Sequence, residues 1–254
     1  MTDCFTIERD NWGKWGKSLQ LKAVLFDLDN TLMDRDHMFR SFASQLVQEC
    51  LVPIDETQRG ALIAEMIERD NDGYRPKEGF FQELLDWLPW RQETSLEEVK
   101  AYYNRHYMTY AKAMDYAEDT LRYCRDQQLR LGIVTNGHSH RQHEKIDLIH
   151  LRPFFDAIIV SGDVDIQKPD PRIYQLALDR LGVQAEETVI VGDHPRNDIW
   201  GAAQVGIRGI WLKRKHEWDE TLEGGTPWRT IHELKEVPAL LEQYTQELCG
   251  TKMD

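Results

Sequence analysis

The sequence lacks the features that mark secreted, membrane-spanning or zinc-knuckle proteins. Its four cysteines, Cys4, Cys50, Cys124 and Cys249, are scattered and include no Cys-x-x-Cys pair, so no disulfide framework or metal knuckle is indicated. Its apolar runs are far shorter than the about 20 residues of a membrane-spanning helix. The polar first residues also lack the apolar core of a signal peptide. These absences predict a cytoplasmic protein without a membrane partner.

Basic residues are few relative to acidic ones. The chain of 254 residues carries 31 Lys and Arg against 44 Asp and Glu, which gives a formal net charge of −13. This charge repels nucleic-acid backbones and anionic lipid surfaces, so we expect no nucleic-acid polymer as a partner. Hydrophobic residues make up 41% of the chain, which is enough for a packed core. The length suits one large domain or two modest ones, as a monomer or homodimer.

Five short apolar runs predict the strands of a parallel sheet. They are continuous rather than alternating, as expected of strands that are covered on both faces. Helical patterns separate the later runs, which is typical of a doubly wound α/β domain with a Rossmann-like sheet. The clearest helix, over 169–182, has Pro171 in its first turn and Gly182 at its end. The runs are KAVLF (22–26), RLGIV (130–134), AIIV (157–160), TVIV (188–191) and GIWL (209–212).

The first two runs are too far apart for a single crossover. The intervening residues contain four segments with helical apolar stripes, separated by turn signals. We therefore expect an all-helical insertion of about 80 residues, large enough to form a small bundle. The predicted organisation is an N-terminal extension of unassigned role (1–20), a Rossmann-like core in two parts (21–35 and 117–254) and a helical cap domain (36–116).

Polar side chains follow the predicted strands where each strand ends. They are Asp27 and Asp29 after the first run, Thr135 and Asn136 after the second, Lys168 after the third, and Asp193 and Asp198 after the fourth. In an open α/β sheet such ends converge at the switch point. Clustered carboxylates repel one another unless a cation lies among them, and oxygen ligands without cysteine favour Mg²⁺. The sequence therefore predicts a Mg²⁺ site, with Lys168 and Thr135 placed to complement a phosphate.

This constellation resembles the haloacid dehalogenase (HAD) superfamily of phosphotransferases. The motifs DLDNT, TN, KP and GDHPRND occur in the family's order, and the helical segment is similar to its C1-type cap. One such motif is frequent by chance, but four at strand ends or helix starts form a specific signal. The resemblance, closest to capped phosphatases of the 5′-nucleotidase type, implies a Mg²⁺-dependent phosphatase that forms an aspartyl phosphate and acts on a small phosphomonoester.

The resemblance assigns the chemistry to the first two acids. Asp27 is implied to be the nucleophile that attacks phosphorus. Asp29 is implied to protonate the leaving alcohol and then to activate water. For this its pKa must be raised, and we expect the neighbouring acids to raise it. The dehalogenases of the superfamily lack the second acid, because a departing halide needs no proton, so dehalogenation is rejected.

The remaining motif residues are implied to bind phosphate and metal. Thr135 and the backbone amide of Asn136 hold the phosphoryl oxygens, and Lys168 neutralises the charge of the nucleophile and the phosphate. The implied metal site comprises Asp27, the backbone carbonyl of Asp29, Asp193 and Asp198, the last of which supports a water ligand or Lys168.

The substrate and some polar residues have alternative interpretations. We favour nucleoside monophosphates or related metabolites, with phosphoglycolate, sugar phosphates and phosphoserine left open. A phosphomutase that acts on a sugar phosphate, or a low-turnover regulatory protein that binds a phosphometabolite, are the alternative functions. His138, His140 and His143 lie close in sequence, but their spacing does not place all three on one helical face, so we do not expect a zinc site.

Overall fold

The fold is built on a six-stranded sheet in which all strands are parallel. The computed structural model describes residues 20–250, with side chains as far as residue 248. The strand order is β3-β2-β1-β4-β5-β6, which confirms the predicted doubly wound α/β sheet. The strands are β1 (Ala23–Phe26), β2 (Arg130–Thr135), β3 (Ala157–Val160), β4 (Thr188–Gly192), β5 (Arg208–Leu212) and β6 (Arg229–Ile231).

Strand β1 lies in the interior of the sheet. Its Leu25 pairs with Gly132 of β2 on one side and with Ile190 of β4 on the other. All four of its residues are buried, which explains its continuous apolar run. From β1 the chain builds β2 and β3 on one side and then β4, β5 and β6 on the other. The carboxyl end of β1 is therefore the switch point, where open α/β sheets bind ligands.

Four helices lie in the segment predicted as the helical insertion between β1 and β2. Two of them are capped by capping boxes: Asp55 and Ser95 each accept a backbone hydrogen bond and pair with Gln58 and Glu98. Their apolar stripes meet around buried aromatic rings such as that of Phe42. The helices are α1 (Arg35–Cys50), α2 (Glu56–Asp70), α3 (Lys77–Trp87) and α4 (Leu96–His106). We refer to residues 35–110 as the helical insertion.

The two segments that join the helical insertion to the sheet are paired with each other. Met33 and Ala113 form an antiparallel bridge. Beside it, the Asp34 amide donates to the carbonyl of Lys112 at 2.9 Å, and the Met114 amide donates to the carbonyl of Leu32 at 2.8 Å. The chain therefore leaves the sheet and returns to it at one place.

The remaining helices pack against the two faces of the sheet. The apolar side of α8 packs on Leu25 and Val134 on one face, while α5 and α10 pack on the other with Val24 and Ile133. Within residues 20–250, no helix combines the length and the apolar character needed to cross a membrane. The helices are α5 (Ala117–Asp126), α6 (Ser139–Leu148), α7 (Ser161–Val164), α8 (Pro171–Leu181), α9 (Gly201–Ala203) and α10 (Val237–Gly250).

The predicted elements agree with the observed ones, and the structure adds further ones. All five strands are confirmed to within one residue at each end, and α8 begins at Pro171 and ends before Gly182, whose φ is +62°. The pattern did not single out β6, α5, α6 or the short helices α7 and α9. The domain boundaries at 36 and 116 remain an interpretation, and residues 1–19 of the N-terminal extension lie outside the described residues.

Candidate active site

The carboxyl ends of the central strands open into a cavity of about 660 Å³. Asp27 follows β1, Thr135 ends β2, and Asp193 follows β4, while Lys168 reaches in from the loop before α8. Helices of the insertion and the start of α6 line the other sides. All seven predicted site residues line this one cavity: Asp27, Asp29, Thr135, Asn136, Lys168, Asp193 and Asp198.

Three buried carboxylates form the centre of the site. One oxygen each of Asp27, Asp193 and Asp198 lies within 4.8 Å of the others. Burial raises the pKa of Asp27 to about 7, with Lys168 opposing the rise and Asp198 adding to it. Burial also raises the pKa of Asp193 well above its usual range, and Asp27 and Asp198 add to this rise. No residue in the described part of the chain donates a hydrogen bond to the Asp193 carboxylate. The cluster therefore holds more negative charge than its protein partners offset.

Lys168 is the cation of this cluster. Its Nζ donates to Asp27 Oδ1 at 2.7 Å and to Asp198 Oδ1 at 2.6 Å, and the side chain is buried. The Asn136 side chain fixes the Lys168 backbone: its Nδ2 donates to the Lys168 carbonyl at 2.9 Å, and its Oδ1 accepts from the Lys168 amide at 2.8 Å. Asn136 thus joins the loop after β2 to the loop that carries the lysine.

Asp198 is held in place by the turn that follows β4. Its Oδ2 accepts a hydrogen bond from the His194 amide at 2.9 Å, so both of its oxygens are engaged. The residue lies in a π-helical turn, Pro195–Trp200, which His194 caps through Nδ1. Gly192 is needed here, because a Cβ at that position would lie 2.4 Å from the Asp198 Cβ. The geometry makes Asp198 a support for Lys168, one of the two roles expected for it.

Asp29 is held separately from the other acids. Lys145 Nζ donates to both of its oxygens, at 2.8 and 2.7 Å, and Gln142 Nε2 donates to Oδ2 at 2.9 Å. Burial by itself raises the pKa of Asp29, but Lys145, Arg35 and these hydrogen bonds outweigh it, so the net pKa is lowered. The prediction that neighbouring acids raise this pKa is therefore wrong for the free protein, because the closest charges are cations.

Gln142 also connects Asp29 to Thr135. The same Nε2 donates to Thr135 Oγ1 at 2.7 Å, and the hydroxyl is buried. Because this hydroxyl oxygen accepts a hydrogen bond, its own proton is free to be donated to a ligand. The acid after β1 and the hydroxyl at the end of β2 are thus held by one amide.

Gln142 and Lys145 were missed by the sequence analysis. They lie three residues apart on α6, which begins two residues after Gly137, so both face the same side of the helix. That spacing after the TN motif was the available signal. The histidines of the same stretch have different surroundings. Of these, His138 lines the cavity, whereas His143 pairs with Asp163.

Two residues of the helical insertion, Tyr74 and Arg35, also line the cavity. Tyr74 accepts a hydrogen bond from Asn197 Nδ2 at 2.8 Å. Arg35 is buried and pairs with Asp70. Arg75 pairs with Glu83 instead.

Comparison with known proteins agrees with this geometry. The profile of the family described as haloacid dehalogenase-like hydrolase matches residues 24–212. The chain belongs to this family. The matched region contains every predicted site residue of this HAD hydrolase. The resemblance read from the four motifs and the expectation of an enzyme are thus confirmed.

Relatives of this HAD hydrolase include proteins named as phosphatases. It is 30% identical over 196 residues to a glyceraldehyde 3-phosphate phosphatase of Pyrococcus abyssi, covering 76% of this chain and 82% of the relative. It is 26% identical over 235 residues to the N-acylneuraminate-9-phosphatase of Homo sapiens, covering 88% and 94%. Among solved structures, a HAD phosphatase from Thermococcus onnurineus aligns with a TM-score of 0.59 and 28% identity, over 87% of this chain and 97% of that one.

Proposed function

We propose that this HAD hydrolase is a Mg²⁺-dependent phosphatase that releases phosphate from small phosphomonoesters through an aspartyl phosphate. The observation that carries the proposal is the meeting of Lys168 with the three buried carboxylates of Asp27, Asp193 and Asp198 in one cavity. Such a mixed set suits a divalent cation and a phosphoryl group bound together, since phosphoryl transfer depends mainly on positioning and charge stabilisation.

Asp27 has the position required of a nucleophile. In the first step one of its oxygens attacks phosphorus, the bond from phosphorus to the leaving oxygen breaks, and the phosphoryl group stays on Asp27. The hydrogen bond from Lys168 orients the carboxylate and offsets its charge. In the second step water attacks phosphorus, the bond to the Asp27 oxygen breaks, and inorganic phosphate is released.

Asp29 handles the proton in both steps. It donates a proton to the leaving alkoxide and then takes one from the attacking water. In the free protein Lys145 and Gln142 favour its ionised form. A phosphate dianion bound beside it adds negative charge and so favours the protonated form. The substrate thus supplies the upward shift in the pKa of Asp29 that the neighbouring acids do not.

Thr135, Asn136 and Lys168 hold the transferring group. The Thr135 hydroxyl has its proton free to donate to a phosphoryl oxygen, because its oxygen already accepts from Gln142. Asn136 binds a phosphoryl oxygen through its backbone amide, because its side chain is already hydrogen-bonded to the Lys168 backbone. Lys168 complements the remaining charge.

The residues present fit Mg²⁺. Mg²⁺ prefers oxygen ligands and takes only a few of its ligands from the protein. The Asp193 carboxylate is buried among acids, and no residue within the described part of the chain donates a hydrogen bond to it. Asp27, Asp193 and the backbone carbonyl of Asp29 would hold the ion, with Asp198 supporting them through Lys168. When bound, Mg²⁺ supplies positive charge that stabilises the phosphoryl oxygens during transfer.

The cavity limits the substrate to a small molecule. Its volume of about 660 Å³, with the helical insertion lining it, suits a metabolite rather than a polymer. The net charge of −13 likewise disfavours nucleic acid. The nucleotide preference stays a proposal. The relatives named above act on glyceraldehyde 3-phosphate and N-acylneuraminate 9-phosphate, which supports the broader class of metabolite phosphates.

Phosphate release tests the proposal. The assay uses p-nitrophenyl phosphate and a panel of nucleotides, sugar phosphates, phosphoglycolate and phosphoserine, with Mg²⁺ or with EDTA. We expect Mg²⁺-dependent release that Asp27→Asn abolishes and that Lys112→Met, a change at an exposed lysine outside the cavity, preserves. A wild-type protein inert toward the whole panel, or an Asp27→Asn variant of full activity, would refute it. An isomeric phosphate in place of free phosphate would indicate a phosphomutase.

A further inference from the structure

Basic side chains line the part of the cavity that is formed by the helical insertion and α6. Arg35 begins α1, Lys77 begins α3, and Arg141 and Lys145 lie on α6. The buried acids of the proposed metal site instead follow β1 and β4. The cavity is therefore acidic where the phosphate is expected and basic in the part provided by the insertion.

Arg35 and Lys77 share a single carboxylate. Asp70 is fully buried and accepts from Arg35 through one oxygen and from Lys77 through the other. The next acid, Asp72, lies 3.9 Å from Arg35 Nη1 and pairs with Lys215. Arg35 and Lys77 thus share one close acid, and Asp72 lies farther from Arg35.

Arg35 has hydrogen-bond donors to spare. Its side chain is only 6% exposed, yet within residues 20–248 it donates a single hydrogen bond, from Nη2 to Asp70. A guanidinium carries five N–H donors, and this one lines the cavity. Gly73 lies close beside it, since a Cβ there would lie 2.8 Å from Nη2. A buried, planar group with free donors is suited to bind a carboxylate.

We propose that the substrate carries a carboxylate at the end remote from its phosphate, and that Arg35 and Lys77 bind it. This inference rests on the phosphatase function proposed above. The two oxygens of a planar carboxylate match the N–H donors that Arg35 leaves free, and Lys77 offers a further donor in the same cavity. A neutral hydroxyl or aldehyde at that end would accept fewer of these hydrogen bonds and would leave buried donors unpaired, which is costly.

A matched pair of substrates tests the inference. 3-Phosphoglycerate and glycerol 3-phosphate differ in one group, a carboxylate against a hydroxymethyl. We expect kcat/KM to be about 10- to 100-fold higher for 3-phosphoglycerate, the discrimination that one charged hydrogen-bonded pair supplies. Lys77→Met should lower this ratio toward one, Lys77→Arg should retain it, and Lys112→Met should leave it unchanged.

The outcomes separate this inference from the phosphatase proposal. Equal kcat/KM for the two compounds in the wild-type protein overturns the inference but leaves the phosphatase standing. A ratio that Lys77→Met does not change, in a variant that melts like the wild type, also overturns it. If no compound yields phosphate, p-nitrophenyl phosphate included, the phosphatase itself fails. The ratio of the two kcat/KM values in the wild-type protein tests the inference even if a variant does not fold.

Discussion

Replacing Lys145 by methionine tests how Lys145 controls the protonation of Asp29. Methionine keeps the length of the side chain but removes the ammonium that lies 2.7 and 2.8 Å from the two Asp29 oxygens. Among the described residues, only Gln142 then donates a side-chain hydrogen bond to the Asp29 carboxylate. We expect the pKa of Asp29 to rise, because the cation that lowers it most is gone while the burial that raises it is unchanged.

The size of the effect follows from Coulomb attraction. Opposite unit charges about 4 Å apart attract by about 4 kcal/mol at the effective dielectric near a protein surface. Asp29 is 23% exposed and keeps Gln142, so we expect about half of this, about 2 kcal/mol. An acid whose folded pKa is lowered stabilises the fold above its unfolded pKa, and this stabilisation is lost as the pH falls through the folded pKa. The stability lost in Lys145→Met should therefore be full at neutral pH and should disappear only below the lowered pKa of Asp29.

The pH dependence of kcat/KM for an alkyl phosphate is the assay. If protonated Asp29 is the reactive form, the alkaline limb should move to higher pH in Lys145→Met, because the cation that lowers the pKa of Asp29 most is gone. With p-nitrophenyl phosphate, whose leaving group needs no proton, the shift should be much smaller. Lys112→Met is the matched control and should move neither limb. A limb that stays in place, or moves downward, with the alkyl substrate would refute the assignment of Lys145.

Three other changes address the acid cluster, the insertion and the turn after β4. Asp193→Asn should raise the melting temperature of the metal-free protein at pH 8, since a raised carboxyl pKa means that ionisation costs stability as the pH rises. It should also abolish the stabilisation of the protein by Mg²⁺, which is about 2.7 kcal/mol at 100 times Kd. A melting temperature of the variant that still rises fully on addition of Mg²⁺ would contradict this. Asp70→Asn should lower the free energy of unfolding in urea by about 3–5 kcal/mol, because Arg35 loses its buried partner; a loss below about 1 kcal/mol would count against it. Gly192→Ala should reduce kcat by about 100-fold by displacing Asp198, and an unchanged kcat would show that the turn can adjust.

The sheet, and the meeting of the seven candidate residues in one cavity, could be predicted from the sequence because their signals are local. A buried parallel strand reads as an unbroken apolar run, as β1 does, and the polar residue that follows it marks the end of the strand. Topology then requires these ends to meet, as Asp27 and Asp193 do. By contrast, β6 is three residues long with only Ile231 buried, so it leaves no apolar run.

The partners of the site residues could not be predicted in the same way. Lys145 lies 116 residues from Asp29, and Arg35 lies 35 residues from Asp70. Which cation meets which carboxylate depends on how the insertion and α6 sit over the sheet, and no local pattern records that. The error in the Asp29 pKa has this origin: nearby acids were visible in the sequence, whereas the closer lysine was not.

The bridge between Met33 and Ala113 makes the helical insertion a side branch of the chain. The chain leaves the sheet and re-enters it through this one pair of bridged segments. Helices of the insertion can therefore be lengthened, shortened or exchanged while β1 and β2 keep their register. Arg35 and Lys77 lie on that branch, and Asp27 lies outside it. Selection for a different organic moiety can thus reshape the insertion alone and leave Asp27 undisturbed.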